Sequence, residues 1–85
     1  MPLDLLFFGR LRETLGRDRE RVEPPSHVLT VDDLVAWLVE QGEPWAGALG
    51  DRSSIHAAVE AHAAEGNDSI FGACEVELYP PPGAL

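Results

Sequence analysis

A single cysteine, Cys74, is the only thiol in the sequence, so the chain cannot build an internal disulfide framework. This is typical of proteins in a reducing cytosol, and we expect a cytoplasmic protein. Basic side chains are also scarce: six Lys and Arg stand against 15 Asp and Glu, which gives a formal net charge of −9. That charge disfavours nucleic acid and anionic membranes and favours a basic partner.

Long hydrophobic runs are missing as well. The opening MPLDLLFFGR lacks a basic start, and its apolar stretch is too short for a signal peptide or a membrane span. We therefore expect no membrane association. The 85 residues suffice for a single domain with one core, but they are too few to enclose a deep active site.

The sequence also lacks a metal motif. His27, His56, His62 and Cys74 contain no pair with Cys-x-x-Cys or His-x-x-x-His spacing, and the glycines form no phosphate-cradling motif. We expect no bound metal or cofactor. His56 is interpreted as a solvated sheet-face histidine, and Cys74 as an inert thiol, because no basic residue lies near it in the sequence.

The first strand is predicted over Leu3–Phe8. Leu3, Leu5 and Phe7 share one face, and Asp4, Leu6 and Phe8 share the other. Because both faces are mostly apolar, this strand is either central and covered twice, or it keeps one face for another protein.

The last strand is predicted over Glu75–Tyr79, where Val76 and Leu78 alternate with polar residues. Three prolines follow from Pro80. Proline gives no N–H to a sheet and favours an extended path, so the strand should stop there. Gly83-Ala84-Leu85 should then project from the body as a tail that begins at about residue 80.

The clearest helix begins at Thr30. Thr30 and Asp33 have the spacing of a capping box, and Gly42 ends the segment. Its apolar stripe comprises Val31, Leu34, Val35, Leu38 and Val39. We expect this stripe to cover a sheet face that carries Leu5, Phe7, Val76 and Leu78.

The remaining elements are shorter. Leu11 and Leu15 indicate a short helix ended by Gly16, and residues 19–23 a polar edge strand. A helical turn is expected from Pro44 to Gly50, with Trp45 and Leu49 as a lid on the core edge. A third strand should carry Ile55, Ala57 and Val59. The small, polar stretch of residues 62–67 should contain a turn at Gly66-Asn67, and residues 69–71 should form a brief extended or turn segment.

This order predicts an α+β fold of the β-grasp (ubiquitin-like) class, a mixed sheet with one main helix and short additional helices. Its first and last strands lie side by side and parallel. Phe8 and Tyr79 then share the face opposite the helix, where two aromatics beside a projecting tail would form a docking surface. A covering loop is the alternative for these two residues.

DLLFFGRLRETLG, VDDLVAWL, EPWAGAL, IHAAVEA and GACEVELYPPP, in this order, resemble the small, sulfur-carrying subunit of molybdopterin synthase. The resemblance implies a ubiquitin-like sulfur carrier in molybdenum cofactor biosynthesis. A ubiquitin-activating-type adenylyltransferase, which uses ATP, would adenylate its terminal carboxylate, which is then converted to a thiocarboxylate. The tail would insert into the large catalytic subunit and donate sulfur there. The chain would have no catalytic side chains of its own.

The resemblance fails at the tail. The family ends in Gly-Gly, whereas Ala84 and Leu85 stand at those positions, with Leu85 carrying the carboxylate that should react. Glycine lets a backbone thread a narrow channel, so these side chains should obstruct activation and insertion. An end altered during preparation, a divergent relative that carries no sulfur, and a maturation step that exposes another terminus all stay open.

The expected partner-binding residues are Phe8, Tyr79, Pro80 and Pro81. The alternative function is a ubiquitin-like interaction module that no longer carries sulfur. A carrier for another pathway, such as thiamine synthesis, is disfavoured because the Trp45 segment lengthens the chain. A homodimer of the isolated chain is also possible through the same aromatic patch.

Overall fold

The computed structural model describes residues 2–50 and 55–79. Their elements, in chain order, are β1 (Leu3–Phe7), α1 (Arg10–Leu15), β2 (Arg19–Val22), α2 (Val31–Glu40), α3 (Trp45–Leu49), β3 (His56–Val59), β4 (His62–Ala64) and β5 (Glu75–Tyr79).

The strands form one five-stranded sheet in the order β2-β1-β5-β3-β4. β1 and β5 are parallel, with Leu5 beside Val76, and the other neighbouring pairs are antiparallel. This confirms the predicted pairing of the first and last strands and the edge position of β2. The topology is that of a ubiquitin-like β-grasp fold.

One face of the sheet packs beneath α2. Leu34 and Leu38 on the helix are 0% and 1% exposed, and they share a core cluster with the sheet residues that were predicted to face them: Leu5, Phe7, Val76 and Leu78. The apolar stripe of the helix therefore does what its spacing predicts, because residues three and four apart lie on one side of a helix. Val39, the last predicted member of the stripe, is only half-buried.

The start of α2 is fixed by the predicted capping box. The Asp33 N–H donates to Thr30 Oγ1 at 3.1 Å, and the Thr30 N–H donates to Asp33 Oδ2 at 3.3 Å. The same carboxylate also accepts from the Leu29 N–H at 3.1 Å. These bonds hold the pKa of Asp33 below its ordinary value, with the Leu29 bond as the largest cause. The helix ends at Glu40, just before the predicted Gly42.

Helix α3 carries the two residues predicted to form a lid on the core edge. Leu49 is 0% exposed and Trp45 is 8% exposed, so both are buried more deeply than an edge position implies and belong to the core cluster. The Trp45 ring lies 5.6 Å from the Phe7 ring, with their planes tilted by 60°. Helix α3 therefore closes the side of the core that α2 leaves uncovered. The reason is size: a ten-residue helix cannot cover the whole sheet.

The turn predicted at Gly66-Asn67 is present, but the short strand β4 before it, which pairs with β3, was not predicted. The connection is a tight turn in which Glu60 and Ala61 have positive φ angles of 51° and 67°. Such turns usually use glycine or asparagine, so their sequence signal is missing here. The segment expected to be extended or a turn, residues 69–71, begins with a single bridge between Ser69 and Thr30 and runs into a turn at Phe71.

Small differences occur at strand ends. The first strand ends at Phe7 rather than Phe8, although the Phe8 N–H still donates to the Leu78 carbonyl at 3.2 Å. The second strand ends at Val22, and the third begins at His56.

Candidate functional site

The two predicted docking residues lie together on the sheet face opposite α2. Because Phe7 is the neighbour of Leu78 in the parallel register, Phe8 and Tyr79 are the next pair along. Their rings stack with centroids 4.7 Å apart and planes 11° from parallel. Phe8 is 37% exposed, and Tyr79 is half-buried. The predicted juxtaposition is present, whereas its role in binding stays a prediction.

Tyr79 is held in place by its own strand. Its hydroxyl donates to Glu77 Oε2 at 2.9 Å, and the two residues lie on the same face because they are two positions apart. The bond to Glu77, partial burial and the charge of Glu77 together raise the pKa of Tyr79. The phenol therefore stays neutral and fixed, with its ring stacked on Phe8.

The stack is surrounded by smaller side chains of the same face. His56 is the strand neighbour of Tyr79, and Ala58 and Leu6 are the neighbours of Glu77. Ala58 is 8% exposed and Leu6 is half-buried. We call this surface the open face: Leu6, Phe8, His56, Ala58, Glu77 and Tyr79.

The open face combines apolar and charged side chains. Its aromatic and aliphatic residues lie around Glu77 on the central strand β5, and at its rim, on the first two strands, Arg21 Nε lies 3.5 Å from Asp4 Oδ1. Aromatic residues are enriched in protein–protein interfaces, which agrees with the predicted docking role. Glu77 and Ala58 are not among the predicted site residues, although the period-two pattern of the last and third strands places both on this face.

The remaining predicted site residues are in the tail. Pro80, Pro81, Gly83, Ala84 and Leu85 lie outside the described residues, and Tyr79 is the last residue of β5. The aromatic stack therefore immediately precedes the segment that the family resemblance makes reactive.

Cys74 is an exposed free thiol. Its backbone N–H and that of Glu75 donate to the Glu60 carboxylate, and the Glu60 N–H donates to the Glu75 carbonyl at 3.1 Å. Glu60 thus ties the strained β3–β4 turn to the start of β5. These contacts give the Cys74 region a structural role in the sheet.

Within residues 2–50 and 55–79, no group of three or more His, Cys, Asp or Glu side chains is placed to hold a metal ion. None of the helices in this part of the chain has the length and apolar character needed to cross a membrane.

Several solved structures share the fold. The crystal structure of SAMP1 from Haloferax volcanii is 22% identical, with all of both chains covered and a TM-score of 0.73. A putative molybdopterin converting factor, subunit 1, from Pyrococcus furiosus is 19% identical, with 95% of this chain and 98% of that chain covered and a TM-score of 0.69. A second structure of H. volcanii small archaeal modifier protein 1 is 24% identical, with 94% and 97% covered and a TM-score of 0.68.

No curated protein sequence matches the chain. The model of the ThiS family matches residues 5–83, which is nearly the whole sequence. The finer resemblance to the small subunit of molybdopterin synthase stays a prediction. The chain belongs to the ThiS family.

Proposed function

We propose that the chain is the sulfur-carrier subunit of a molybdopterin synthase and donates sulfur from a C-terminal thiocarboxylate in molybdenum cofactor biosynthesis. The observation that carries the proposal is the stacked Phe8–Tyr79 pair at the end of β5, directly before residues 80–85. Membership of the ThiS family and the fold shared with a putative molybdopterin converting factor, subunit 1, support it.

In this proposal the open face docks on the large catalytic subunit. Phe8 and Tyr79 would enter an apolar depression of the partner, while Glu77 and the rim charges set the orientation. The same face would present the chain to the adenylyltransferase that activates the tail with ATP. The chain itself positions the reacting group and contributes no catalytic side chain.

Docking on the large subunit and formation of the thiocarboxylate should depend on different parts of this chain. Docking depends on side chains of the sheet, which the tail residues do not alter. Activation requires an acyl-adenylate to form in a site shaped for an unbranched glycyl end, and the isobutyl group of a terminal Leu85 would be too large for that site. A chain whose last residue is Leu85 should therefore dock normally and gain little thiocarboxylate.

The test is the intact mass of the chain after incubation with the adenylyltransferase, ATP and a sulfur source. The sequence as it stands should gain little thiocarboxylate, and the double variant Ala84→Gly, Leu85→Gly should show oxygen replaced by sulfur. Ala84→Gly alone is the matched control, since it keeps the branched terminal side chain. Efficient thiocarboxylation of the unchanged sequence would overturn the steric argument.

The second candidate is a ubiquitin-like interaction module or protein modifier that carries no sulfur to a pterin. The fold match over the full length of SAMP1 favours it. The 85 residues include no lysine, so none of them supplies an ε-amine for an isopeptide bond. If the diglycine variant stays unmodified by an enzyme that is active on another carrier, this second function replaces the first.

A further inference from the structure

A second apolar surface lies at the opposite end of the β1–β5 pair. A groove of about 190 Å³ is lined by Leu3 at the start of β1, by Pro24 and Pro25, and by Leu29, Ile70 and Phe71. Phe71 is 81% exposed and Leu29 is 51% exposed, well above the 37% of Phe8. We call this surface the Phe71 groove. Large apolar side chains that project this far on a small protein mark a binding surface.

The walls of the Phe71 groove are held by backbone hydrogen bonds. The Val28 N–H donates to the Pro25 carbonyl at 3.0 Å, and the Ile70 N–H donates to the Leu29 carbonyl at 3.0 Å. The Phe71 N–H donates to Ser69 Oγ at 3.0 Å, which fixes the backbone that carries the exposed ring. The groove is therefore formed before any ligand arrives, and binding pays little ordering entropy.

Proteins recognise proline-rich segments in the polyproline II conformation with grooves lined by aromatic side chains, and this groove carries the ring of Phe71 together with Pro24 and Pro25. The sequence itself contains such a segment, Pro80-Pro81-Pro82, followed by Gly-Ala-Leu without a charged side chain. Consecutive prolines favour polyproline II and lose little freedom on binding. We propose that the Phe71 groove binds the Pro80–Pro82 segment of a second copy of this chain.

The segment should come from another copy because of where the two features lie. Leu3 begins β1 and Ala73 precedes β5, whereas Pro80 follows the far end of β5. Travelling back along the five residues of β5 takes roughly 16 Å, whereas the three residues Pro80–Pro82 span at most about 11 Å when extended. Both edges of β5 are occupied, by β1 and β3, so no sheet path leads back.

Contact between the tail of one copy and the groove of the next builds an open row of copies, unless two copies exchange tails reciprocally and close the arrangement as a dimer. The average mass in solution should therefore rise with protein concentration. Each copy carries a formal charge of −9, so added salt should strengthen association by screening repulsion.

The direct test is a peptide titration of the isotope-labelled full chain by NMR. The probe is a synthetic peptide of residues 79–85, and its control has alanine in place of the three prolines. The native peptide should shift the amide signals of Leu29, Ile70 and Phe71, and Phe71→Ala should weaken its binding about tenfold. Phe71 is so exposed that its truncation should leave the fold intact, and Leu29→Ser is a second groove variant. Shifts confined to the open face, or equal binding of the alanine peptide, would overturn the proposal.

Mixing two full-length variants tests the pairing itself, by sedimentation equilibrium. Phe71→Ala keeps its tail but has a damaged groove, and the triple variant Pro80→Ser, Pro81→Ser, Pro82→Ser keeps its groove but has a damaged tail. Each alone should stay monomeric, and the mixture should form a one-to-one complex that grows no further. If either variant alone associates like the unchanged chain, or if the mixture stays monomeric while the unchanged chain associates, the groove does not bind the tail.

Discussion

The open face and the Phe71 groove are both apolar, but they are built in different ways. On the open face, Phe8 and Tyr79 cover part of each other by stacking, and Glu77 fixes the phenol. In the groove, Phe71 projects from a loop and is 81% exposed. The open face is thus a regular product of strand register, whereas the groove depends on the backbone bonds of two loops. The two surfaces should therefore respond differently to substitutions in the elements beneath them.

The surfaces should also respond to opposite ends of the pH range. Asp33, whose carboxylate accepts from the Leu29 N–H beside the groove, has a lowered pKa. Tyr79 on the open face has a raised pKa, because the neutral phenol donates to Glu77. Acidic pH should therefore weaken the structure beside the groove, by protonating Asp33, and alkaline pH should weaken the open face, by ionising Tyr79.

The largest expected effect is a loss of stability in the core, which supports both surfaces. Leu38 is 1% exposed in the core on which the sheet and the helix rest. Leu38→Ala should lower the free energy of unfolding by about 2–5 kcal/mol, because it leaves a cavity where relaxation is incomplete. A denaturant titration measures this loss, and Val39→Ala, at a half-buried position of the same helix, should cost less. A loss near zero for Leu38→Ala would mean that the helix stripe does not carry the core.

A smaller effect should separate the two surfaces. Thr30→Ala removes the acceptor of the Asp33 N–H at the start of α2, next to Leu29, and should cost about 0.5–2 kcal/mol. Amide hydrogen exchange should speed up at Asp33, while the signals of Phe8 and Tyr79 stay unchanged. Thr30→Ser keeps the oxygen and is the matched control. If amide exchange speeds up equally at Leu29 and at Phe8 and Tyr79, the two surfaces are not independent.

The smallest effect is a pH dependence. Because the pKa of Asp33 is lower in the folded chain than in the unfolded chain, ionised Asp33 stabilises the fold above the unfolded value of about 3.9. This stabilisation is lost as pH falls through the folded value. Asp33→Asn should therefore flatten the acid side of a plot of melting temperature against pH, in that range only. An acid side that is identical in the variant would show that Asp33 does not contribute.

The raised pKa of Tyr79 makes the stability depend on pH in the opposite direction. The neutral phenol stabilises the folded chain fully below the unfolded value of about 10, and this contribution is lost as pH rises through the folded value. Tyr79→Phe should remove the fall of the melting temperature at alkaline pH and leave the melting temperature at acidic pH unchanged. The two variants together place acid sensitivity beside the groove and alkaline sensitivity on the open face. If the melting temperature of Tyr79→Phe falls at alkaline pH as much as that of the unchanged chain, this assignment is contradicted.

Much of the fold follows from the sequence because its signals are local and regular. The spacing of Leu34 and Leu38 predicts the helix face, Thr30 and Asp33 predict its start, and the alternation of Val76 and Leu78 predicts the last strand. Parity along two parallel strands was sufficient to bring Phe8 and Tyr79 together, although they are far apart in the chain.

The missed features depend on information that local patterns do not contain. β4 follows a turn with Glu60 and Ala61 at positive φ, where no glycine signals the reversal. The burial of Leu49 depends on the area that α2 leaves uncovered. The Phe71 groove is made by loops distant in sequence, joined by the bond from the Ile70 N–H to the Leu29 carbonyl. From the sequence, Phe71 is expected only in a brief extended or turn segment.

The central claim is that the open face, and not the Phe71 groove, binds the large subunit of molybdopterin synthase. Titration calorimetry of that subunit with Phe8→Ala and Phe71→Ala tests it most directly, since each variant truncates one exposed phenylalanine. We expect Phe8→Ala to weaken binding by roughly 1–3 kcal/mol and Phe71→Ala to leave it unchanged. Unchanged affinity for Phe8→Ala, or an equal loss in both variants, would contradict the account.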